Sequence, residues 1–476
     1  MKSIHLLIMM MFSVSFGLCG GPVDYSTLYG YWGLTIKDDT GVQHFIAYFY
    51  KGANELNCEF HSYQNGMKYE SEPAAEISFD GKFISMIVNQ SADVKYEGEL
   101  TVQQNVINGK LIYSDGSDRE FNLEKFSRDK IRKEFPGLLH LKETEYSYSK
   151  PETMSDGLQT SSLEEMKIGG NLLTDMTKKI KMGEYGKVNS VLILRKGKLV
   201  FEEYFDGFYK NDLHVLRSAT KSISSLLIGI AVDKGLIKSV NQKLLDFYPE
   251  YQKRLPDAWN KVLLKHVLTM TMGLNWDNEY HDNIWQSSDD VIKSTFEQKF
   301  AFEPGKKFEY RNPNVDLLAG VIIHATGKPV QEFAEENLFN PLGITGYQWR
   351  NFKKNNYPLM DGSLWLTPRD MAKIGQMILD NGKWKNKQIV SLKWIEESTS
   401  LKVNVDEITD YGYLWWLGKS QTKPGLTAVF ANGLGGQHII VVPELSVVIV
   451  TTGGNYDKPA AYLLRMIDEY VIKSIN

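Results

Sequence analysis

Ser218 and Lys221 are the residues of this chain whose types and spacing point most directly to catalysis. They open an apolar run, Ser218 to Lys234, that predicts a helix ended by Gly235. Residues three apart on a helix project from the same face, so the hydroxyl and the amine can share a proton. Because a serine hydroxyl is a good nucleophile only when a base takes its proton, the pair predicts Ser218 as nucleophile and Lys221 as base.

The apolar residues that follow predict a central, buried helix. They are Ile223, Leu226, Leu227, Ile230, Ala231 and Leu236. Burial penalises the charged form of an amine and so favours the neutral form that accepts a proton. In the first turn of the helix, Ser218 would also lie beside free backbone N–H groups and the positive end of the helix dipole. The competing interpretation is structural, with Ser218 as a helix cap and Lys221 as a solvated side chain.

Two further segments carry groups that this chemistry needs. Tyr310 and Asn312 precede an apolar helical run, where the phenol can relay a proton and the amide can bind a substrate carbonyl. In the glycine-rich stretch before the strand His438 to Val442, Gly435 and Gly436 permit close approach of a ligand, and the Gln437 amide can donate to an oxyanion. The structural alternatives are a core tyrosine, a helix-capping asparagine and a plain glycine turn.

Composition and motifs argue against several other functions. The 54 basic and 58 acidic side chains give a net charge of −4, so nucleic-acid partners are not predicted. The nine histidines show no His-x-His or His-Glu-x-x-His spacing, and neither a Gly-x-Ser-x-Gly elbow nor a phosphate-binding loop is present. We therefore predict no metal and no cofactor.

At 476 residues the chain is long enough for two domains. Residues 21–128 alternate apolar and polar positions between turn signals, which predicts an antiparallel β barrel or sandwich of about eight strands. Five of the predicted strands are Tyr31 to Ile36, Phe45 to Tyr50, Phe83 to Val88, Val94 to Leu100 and Val106 to Leu111. In this domain Tyr48 and Tyr50 are either exposed, as for a sugar or lipid ligand, or part of the barrel filling.

The second predicted domain, residues 166–476, follows a linker and entry segment at 129–165 in which the periodicity fades. It begins with a helix, Leu172 to Lys181, and a hairpin that turns at Lys196-Gly197. A second apolar hairpin, turning at Pro443-Glu444, comes near the C-terminus, before a final helix. Hairpins at both ends with helices between them predict an α/β (α+β) domain with an antiparallel sheet covered by helices.

The first 20 residues resemble a secretory signal peptide. Lys2 precedes an apolar run too short to span a bilayer, and small residues follow it. The prediction is a secreted or periplasmic protein with no membrane span after cleavage. Lipidation of Cys19 is the alternative, although Leu18 is bulkier than the residue a lipobox has there. Cleavage would leave Cys58 alone, as a small buried residue without catalytic function.

Taken together, the Ser218/Lys221, Tyr310/Asn312 and Gly433 to Gln437 elements resemble the active-site boxes of the serine β-lactamase and penicillin-binding-protein superfamily. The class C β-lactamase-related branch is most similar, particularly its esterases and aminohexanoate-dimer hydrolases. The resemblance covers Pro151 to the C-terminus. Residues 25–126 resemble the small lipocalin-like β domains that accompany some serine hydrolases.

The resemblance implies an acyl-enzyme on Ser218, with Lys221 as base, Tyr310 as proton relay, and Asn312, Gly435, Gly436 and Gln437 as substrate and oxyanion contacts. The substrate would be a small ester, amide or peptide. This branch commonly has Lys or His where Leu434 stands, which moves the expectation from β-lactams toward other acyl compounds. The alternative function is a penicillin-binding-like binding or sensor protein with weak or no turnover.

Overall fold

The computed structural model describes residues 25–38, 41–50, 56–64, 67–89, 94–127, 130–131, 134–135, 138, 146–275, 288, 290–351, 357–459 and 461–475. The predicted signal segment 1–20, with Cys19, lies outside them. The main boundary between two compact units falls between Ile131 and Arg132. Each unit is described by itself below.

The first unit is a single, nearly closed antiparallel sheet of ten strands, which confirms the predicted all-β domain. The strand order is β4-β3-β2-β1-β10-β8-β7-β6-β5, and β9 pairs with β8. The strands are β1 (Gly30–Asp38), β2 (Gly41–Tyr50), β3 (Asn57–Gln64), β4 (Met67–Pro73), β5 (Ala75–Phe79), β6 (Phe83–Asn89), β7 (Val94–Thr101), β8 (Val106–Ile112), β9 (Asp118–Glu120) and β10 (Leu123–Phe126).

The buried Tyr96 side chain fills part of the interior of this unit. Gly98 and Gly109 are partners in register on β7 and β8, and a Cβ added at either would come within 3 Å of the Tyr96 hydroxyl. The Tyr96 ring therefore uses the space that two glycines leave open. Cys58 is buried and free, as predicted. Tyr48 is half-buried and stacks on Tyr31, with ring centroids 4.5 Å apart.

The second unit contains a nine-stranded sheet in the order β11-β13-β12-β24-β23-β22-β21-β20-β19. All its pairings are antiparallel, as predicted, except the parallel pair β11–β13. Its strands are β11 (Gln159–Thr160), β12 (Val188–Arg195), β13 (Lys198–Tyr204), β19 (Val403–Asn404), β20 (Thr409–Tyr411), β21 (Trp416–Lys419), β22 (Thr427–Gly433), β23 (Gln437–Val442) and β24 (Val447–Gly453). The short strands β14 (His214–Val215), β15 (Gln348–Trp349), β16 (Leu364–Leu366), β17 (Lys383–Trp384) and β18 (Lys387–Gln388) form two small sheets.

In the part of this unit that the structure describes, ten α-helical segments accompany the sheet. They are α1 (Gly170–Lys181), α2 (Thr220–Asp233), α3 (Leu264–Leu268), α4 (Val291–Phe296), α5 (Asn312–Thr326), α6 (Val330–Ala334), α7 (Asn340–Leu342), α8 (Pro368–Leu379), α9 (Leu392–Ser398) and α10 (Ala461–Met466). π-helical turns at Glu335–Phe339 and Ile467–Ile472 extend α6 and α10. 3₁₀ turns lie at Tyr25–Thr27 and Val102–Gln104 in the first unit. In the second unit they lie at Arg217–Ala219, Leu244–Phe247, Asp257–Lys261 and Pro443–Leu445.

Helices cover both faces of the sheet. Successive side chains of a strand point to opposite faces, and the central strands carry apolar side chains on both faces. Ile193 of β12 packs in one cluster with Met176 of α1. Leu192, the preceding residue, packs in the other cluster with Met371 of α8. A strand whose two faces are both buried is a near-continuous apolar run, as β12 and β24 are. The predicted layer arrangement is therefore confirmed.

The stretch before α1 is attached to the edge of the sheet by side-chain hydrogen bonds. The Tyr148 hydroxyl donates to the Val200 carbonyl (2.9 Å) and accepts from the Leu163 amide (3.2 Å). Arg369, buried on α8, donates to Glu202 through two nitrogens, both at 2.6 Å, and to Asp156 at 2.8 Å. This bidentate geometry fixes residues near 156 to β13 and α8.

Within the part of the chain that the structure describes, no helix is long and apolar enough to cross a membrane.

Candidate active site

Ser218 lies in a 3₁₀ turn, Arg217–Ala219, that runs directly into α2. The sequence predicts Ser218 in the first turn of the α-helix, whereas α2 begins at Thr220. The difference arises because the chain enters α2 through this 3₁₀ turn, which begins at Arg217 with its left-handed φ of 47°. The Ala219 amide closes the turn on the Leu216 carbonyl at 3.1 Å, and Ser218 remains half-buried.

Lys221 points from the first turn of α2 back to Ser218. Its Nζ lies 3.0 Å from Ser218 Oγ, which is hydrogen-bond distance. The residue is 1% exposed, because α2 is buried around nearly its whole circumference. Leu236, included in the predicted apolar run, lies beyond the helix and is exposed. The interpretation of Lys221 as a solvated side chain therefore does not hold.

Asp361 is a second buried group at Lys221, and sequence reasoning missed it. Lys221 Nζ donates to the Asp361 carbonyl (2.8 Å) and lies 3.8 Å from Asp361 Oδ2. Burial raises the pKa of the Asp361 carboxyl, while the nearby charge of Lys221 acts in the opposite direction. No local pattern could have indicated this contact, since the two residues are 140 positions apart.

Tyr310 reaches the same place from the segment before α5. Lys221 Nζ lies 5.1 Å from the centre of the Tyr310 ring. That ring stacks on Trp416 (5.6 Å) and meets Tyr411 edge-on (6.3 Å). Burial, together with the adjacent Tyr310, raises the pKa of Tyr411 well above its ordinary value. Of the two tyrosines, Tyr310 is partly accessible and Tyr411 is buried.

Asn312 is the first residue of α5, and Arg311 occupies the N-cap position without a side-chain capping hydrogen bond. Pro313 follows in the first turn, where its missing N–H has no consequence. Packing of α2 against α5 is what brings the Tyr310–Asn312 segment to the Ser218 turn. Asn312 itself is half-buried.

Gly433, the last residue of β22, backs directly onto the Ser218 turn. A Cβ placed there would be 2.1 Å from the Leu216 carbonyl oxygen and 3.2 Å from the Ala219 nitrogen. Only glycine permits the strand to approach the turn this closely. Gly435 and Gly436 follow with φ of 90° and 100°, which carry the chain into β23 at Gln437.

The Gln437 side chain is buried, and its Nε2 donates to the Gly453 carbonyl. Any hydrogen bond from Gln437 to a substrate oxygen would therefore use the backbone N–H. Beside it, Leu434 is 45% exposed. Tyr456 packs against Gly435, and the guanidinium of the exposed Arg217 lies 5.0 Å from the centre of the Tyr456 ring. The Arg217 guanidinium thus supplies a positive charge near the glycine-rich segment, although Leu434 itself is apolar.

Among the described residues, no cluster of three or more His, Cys, Asp or Glu side chains could hold a metal ion. His266 has a strongly shifted pKa. Burial lowers its pKa to about 4, and its Nδ1 accepts from the Leu263 amide. Its Nε2 lies close to Gly305 in the turn that precedes Tyr310. We interpret it as a neutral histidine that supports this turn.

Comparisons with known proteins match this unit of the chain. The Beta-lactamase family model covers residues 187–470, which include every predicted site residue. A 6-aminohexanoate-dimer hydrolase from Paenarthrobacter ureafaciens is 24% identical over 288 residues, 55% of this chain and 71% of that protein.

Two solved structures show the same fold. A Bacillus anthracis protein provisionally named a 6-aminohexanoate-dimer hydrolase has a TM-score of 0.55 at 18% identity, covering 73% of this chain and 97% of its own. An octameric penicillin-binding protein homologue from Pyrococcus abyssi has a TM-score of 0.53 at 20% identity, covering 64% and 78%. At these identities the two structures show the fold alone.

Proposed function

Since the chain belongs to the serine β-lactamase family, we propose that it hydrolyses an ester or amide through an acyl-enzyme on Ser218. One observation carries this proposal: Lys221 Nζ lies 3.0 Å from Ser218 Oγ at a position that is almost fully buried. A capping serine with a solvated lysine would not have this geometry. The hydrolase class follows from the family, whereas the roles of individual residues are our proposal.

In the acylation step, Ser218 Oγ forms a bond to the substrate carbonyl carbon as Lys221 Nζ takes the hydroxyl proton. The negative charge that develops on the carbonyl oxygen would be held by the backbone N–H groups of Ser218 and Gln437. Gly433 contributes by letting β22 lie against the Ser218 turn, and Gly435 and Gly436 leave the approach to Gln437 without side chains.

The leaving group then needs a proton, which Tyr310 would pass on from Lys221. Asn312 would donate to the substrate carbonyl from the start of α5. Water would complete the cycle by hydrolysing the acyl-enzyme, with the same groups returning the proton. No metal or cofactor enters any of these steps.

Tyr310→Phe is expected to lower kcat about a hundred-fold with little change in protein stability, because it removes the relay hydroxyl but keeps the ring on Trp416. Steady-state kinetics with an activated and an unactivated ester of the same acid provide the measurement. The loss should be smaller for the activated ester, whose leaving group needs no proton. An equal loss with both esters would contradict a relay role.

Export and substrate identity belong to this proposal as well. The signal-like residues 1–20 suggest secretion to the periplasm or medium. The exposed side chains of Leu434 and Tyr456 form an apolar surface beside the proposed site. Such a surface favours a substrate whose acyl group has an apolar portion. Linear amides are included because the Paenarthrobacter ureafaciens relative is named a 6-aminohexanoate-dimer hydrolase.

A binding or sensor protein without turnover is the second candidate, motivated by the apolar Leu434. A panel of short acyl esters, β-lactams, D-amino-acid peptides and linear amides separates the two functions. A hydrolase releases product from at least one class, and Ser218→Ala abolishes that release. A sensor forms a stable adduct or none, and no panel member is turned over.

A further inference from the structure

The structure assigns a positioning role to Asp361: we propose that its buried carboxylate is the counter-ion of the ammonium that forms on Lys221 during acylation. The inference rests on the proposed function, in which Lys221 takes the Ser218 proton. Asp361 acts through Lys221 and exchanges no proton with the substrate.

Hydrogen bonds hold the Asp361 loop beside Lys221. Its loop is attached to α2 twice, by Lys221 Nζ on the Asp361 carbonyl (2.8 Å) and by Ser224 Oγ on the Met360 carbonyl (2.8 Å). The Asp361 amide also donates to Asp316 Oδ1 on α5 (3.2 Å). The loop is thus fixed to both helices that form the site, which holds the Asp361 backbone beside Lys221.

Charged groups from α2, from the turn before it and from α5 surround the Asp361 carboxyl. Lys221 on α2 lies 3.8 Å from Asp361 Oδ2, and Arg217 in the preceding turn acts on it from a greater distance. From α5, Asp316 accepts the Asp361 amide hydrogen, and the centre of the Tyr310 ring lies 5.1 Å from Lys221 Nζ. Lys221 and Asp361 are both almost fully buried, so solvent screens their interaction little.

Acylation creates the positive charge that this carboxylate stabilises. When Ser218 Oγ bonds to the acyl carbon, its proton passes to Lys221 Nζ and creates a positive charge in a buried site. An uncompensated buried charge is strongly unfavourable, and a fixed carboxylate at 3.8 Å compensates it. The proton later leaves with the departing group, and the pair returns to its starting state. Asp361 thereby favours transfer of the proton from Ser218.

The rate of Ser218 labelling by a fluorophosphonate, measured against pH, tests this role. In that reaction Oγ bonds to phosphorus, fluoride departs and Lys221 takes the proton, so no natural substrate is needed. Asp361→Asn keeps the backbone carbonyl and the side-chain shape but removes the charge. Asp361→Ala is a second neutral variant, in case the asparagine does not fold. Asp370→Asn is the matched control, because Asp370 is also buried and paired with a lysine, Lys373, at 2.8 Å.

Without the counter-ion the ammonium form of Lys221 is less stable. The acid limb of the labelling rate should therefore move about one to three pH units lower in Asp361→Asn. The rate above the limb should fall roughly ten-fold, because the amine is a weaker base. Asp370→Asn should leave the limb unchanged. A limb at the wild-type pH in a folded Asp361 variant, or no labelling of that variant at any pH, would overturn the inference. Absence of labelling in the wild type would instead refute the proposed function.

Discussion

Replacing Lys221 with methionine is expected to lower acylation of Ser218 about a hundred- to ten-thousand-fold, since it removes the proposed general base. Methionine keeps the length and apolar character of the lysine stem, so α2 can pack as before. The second-order rate of labelling by a fluorophosphonate provides the measurement. A rate within a few-fold of the wild type would mean that another group accepts the Ser218 proton.

The same substitution is expected to lower the free energy of unfolding by about 1 to 3 kcal/mol near neutral pH, because it removes the hydrogen bond from Lys221 Nζ to the buried Asp361 carbonyl. With burial alone acting on it, the folded-state pKa of Asp361 lies above the unfolded value. The free energy of unfolding of this variant should therefore be highest below about pH 4 and fall as the pH rises through that folded-state pKa. Thermal unfolding measured across this pH range gives the profile.

A double variant separates stability from catalysis. Lys221→Met/Asp361→Asn should regain much of the lost stability, because no unpaired charge remains, but it should regain no activity. Lys373→Met is the matched control, since it breaks the buried pair with Asp370 on α8 and should cost stability without slowing acylation. Recovery of acylation in the double variant would contradict Lys221 as the base.

Gly433→Ala is expected to slow acylation about a hundred-fold by moving β22 away from the Ser218 turn. The new Cβ would meet backbone atoms, the Leu216 oxygen at 2.1 Å and the Ala219 nitrogen at 3.2 Å, so no side chain can rotate to make room. A displacement of about 1 Å between the nucleophile and its oxyanion donors is enough for a loss of this size. Labelling kinetics and thermal unfolding of the same preparation measure both effects.

Gly346→Ala is the matched control for that substitution. A Cβ at Gly346 would have no heavy atom within 4 Å, and its φ lies outside the left-handed region. We expect unchanged labelling and unchanged stability. Wild-type labelling rates in a folded Gly433→Ala protein would show that the close approach of β22 has no catalytic importance.

Much of the fold could be predicted because it follows local patterns. The apolar alternation between residues 30 and 126 predicted the all-β unit, and the hairpins at both ends of the second unit predicted its antiparallel sheet. The count of about eight strands was too low, since β9 has three residues, none of them apolar, and β5 has only five residues. The parallel strand β11 was missed because two residues carry no periodicity.

The site shows the same division between local and distant information. Ser218 and Lys221 are three residues apart, so their spacing alone suggested contact. α2 begins two residues later than predicted, because the chain enters it through the 3₁₀ turn Arg217–Ala219, and the sequence pattern did not distinguish that turn from an α-helix. Asp361 could not be found from the sequence. It reaches Lys221 through the packing of a loop onto α2, and an isolated Asp-Gly predicts only a turn.

The most direct test of the central claim is the intact mass of the protein after reaction with a fluorophosphonate. We predict one added phosphonyl group on the wild type, mapped by peptide mass spectrometry to Ser218, and no addition to Ser218→Ala under the same conditions. Labelling that persists in Ser218→Ala, or a wild-type protein labelled at another residue, would contradict Ser218 as the nucleophile.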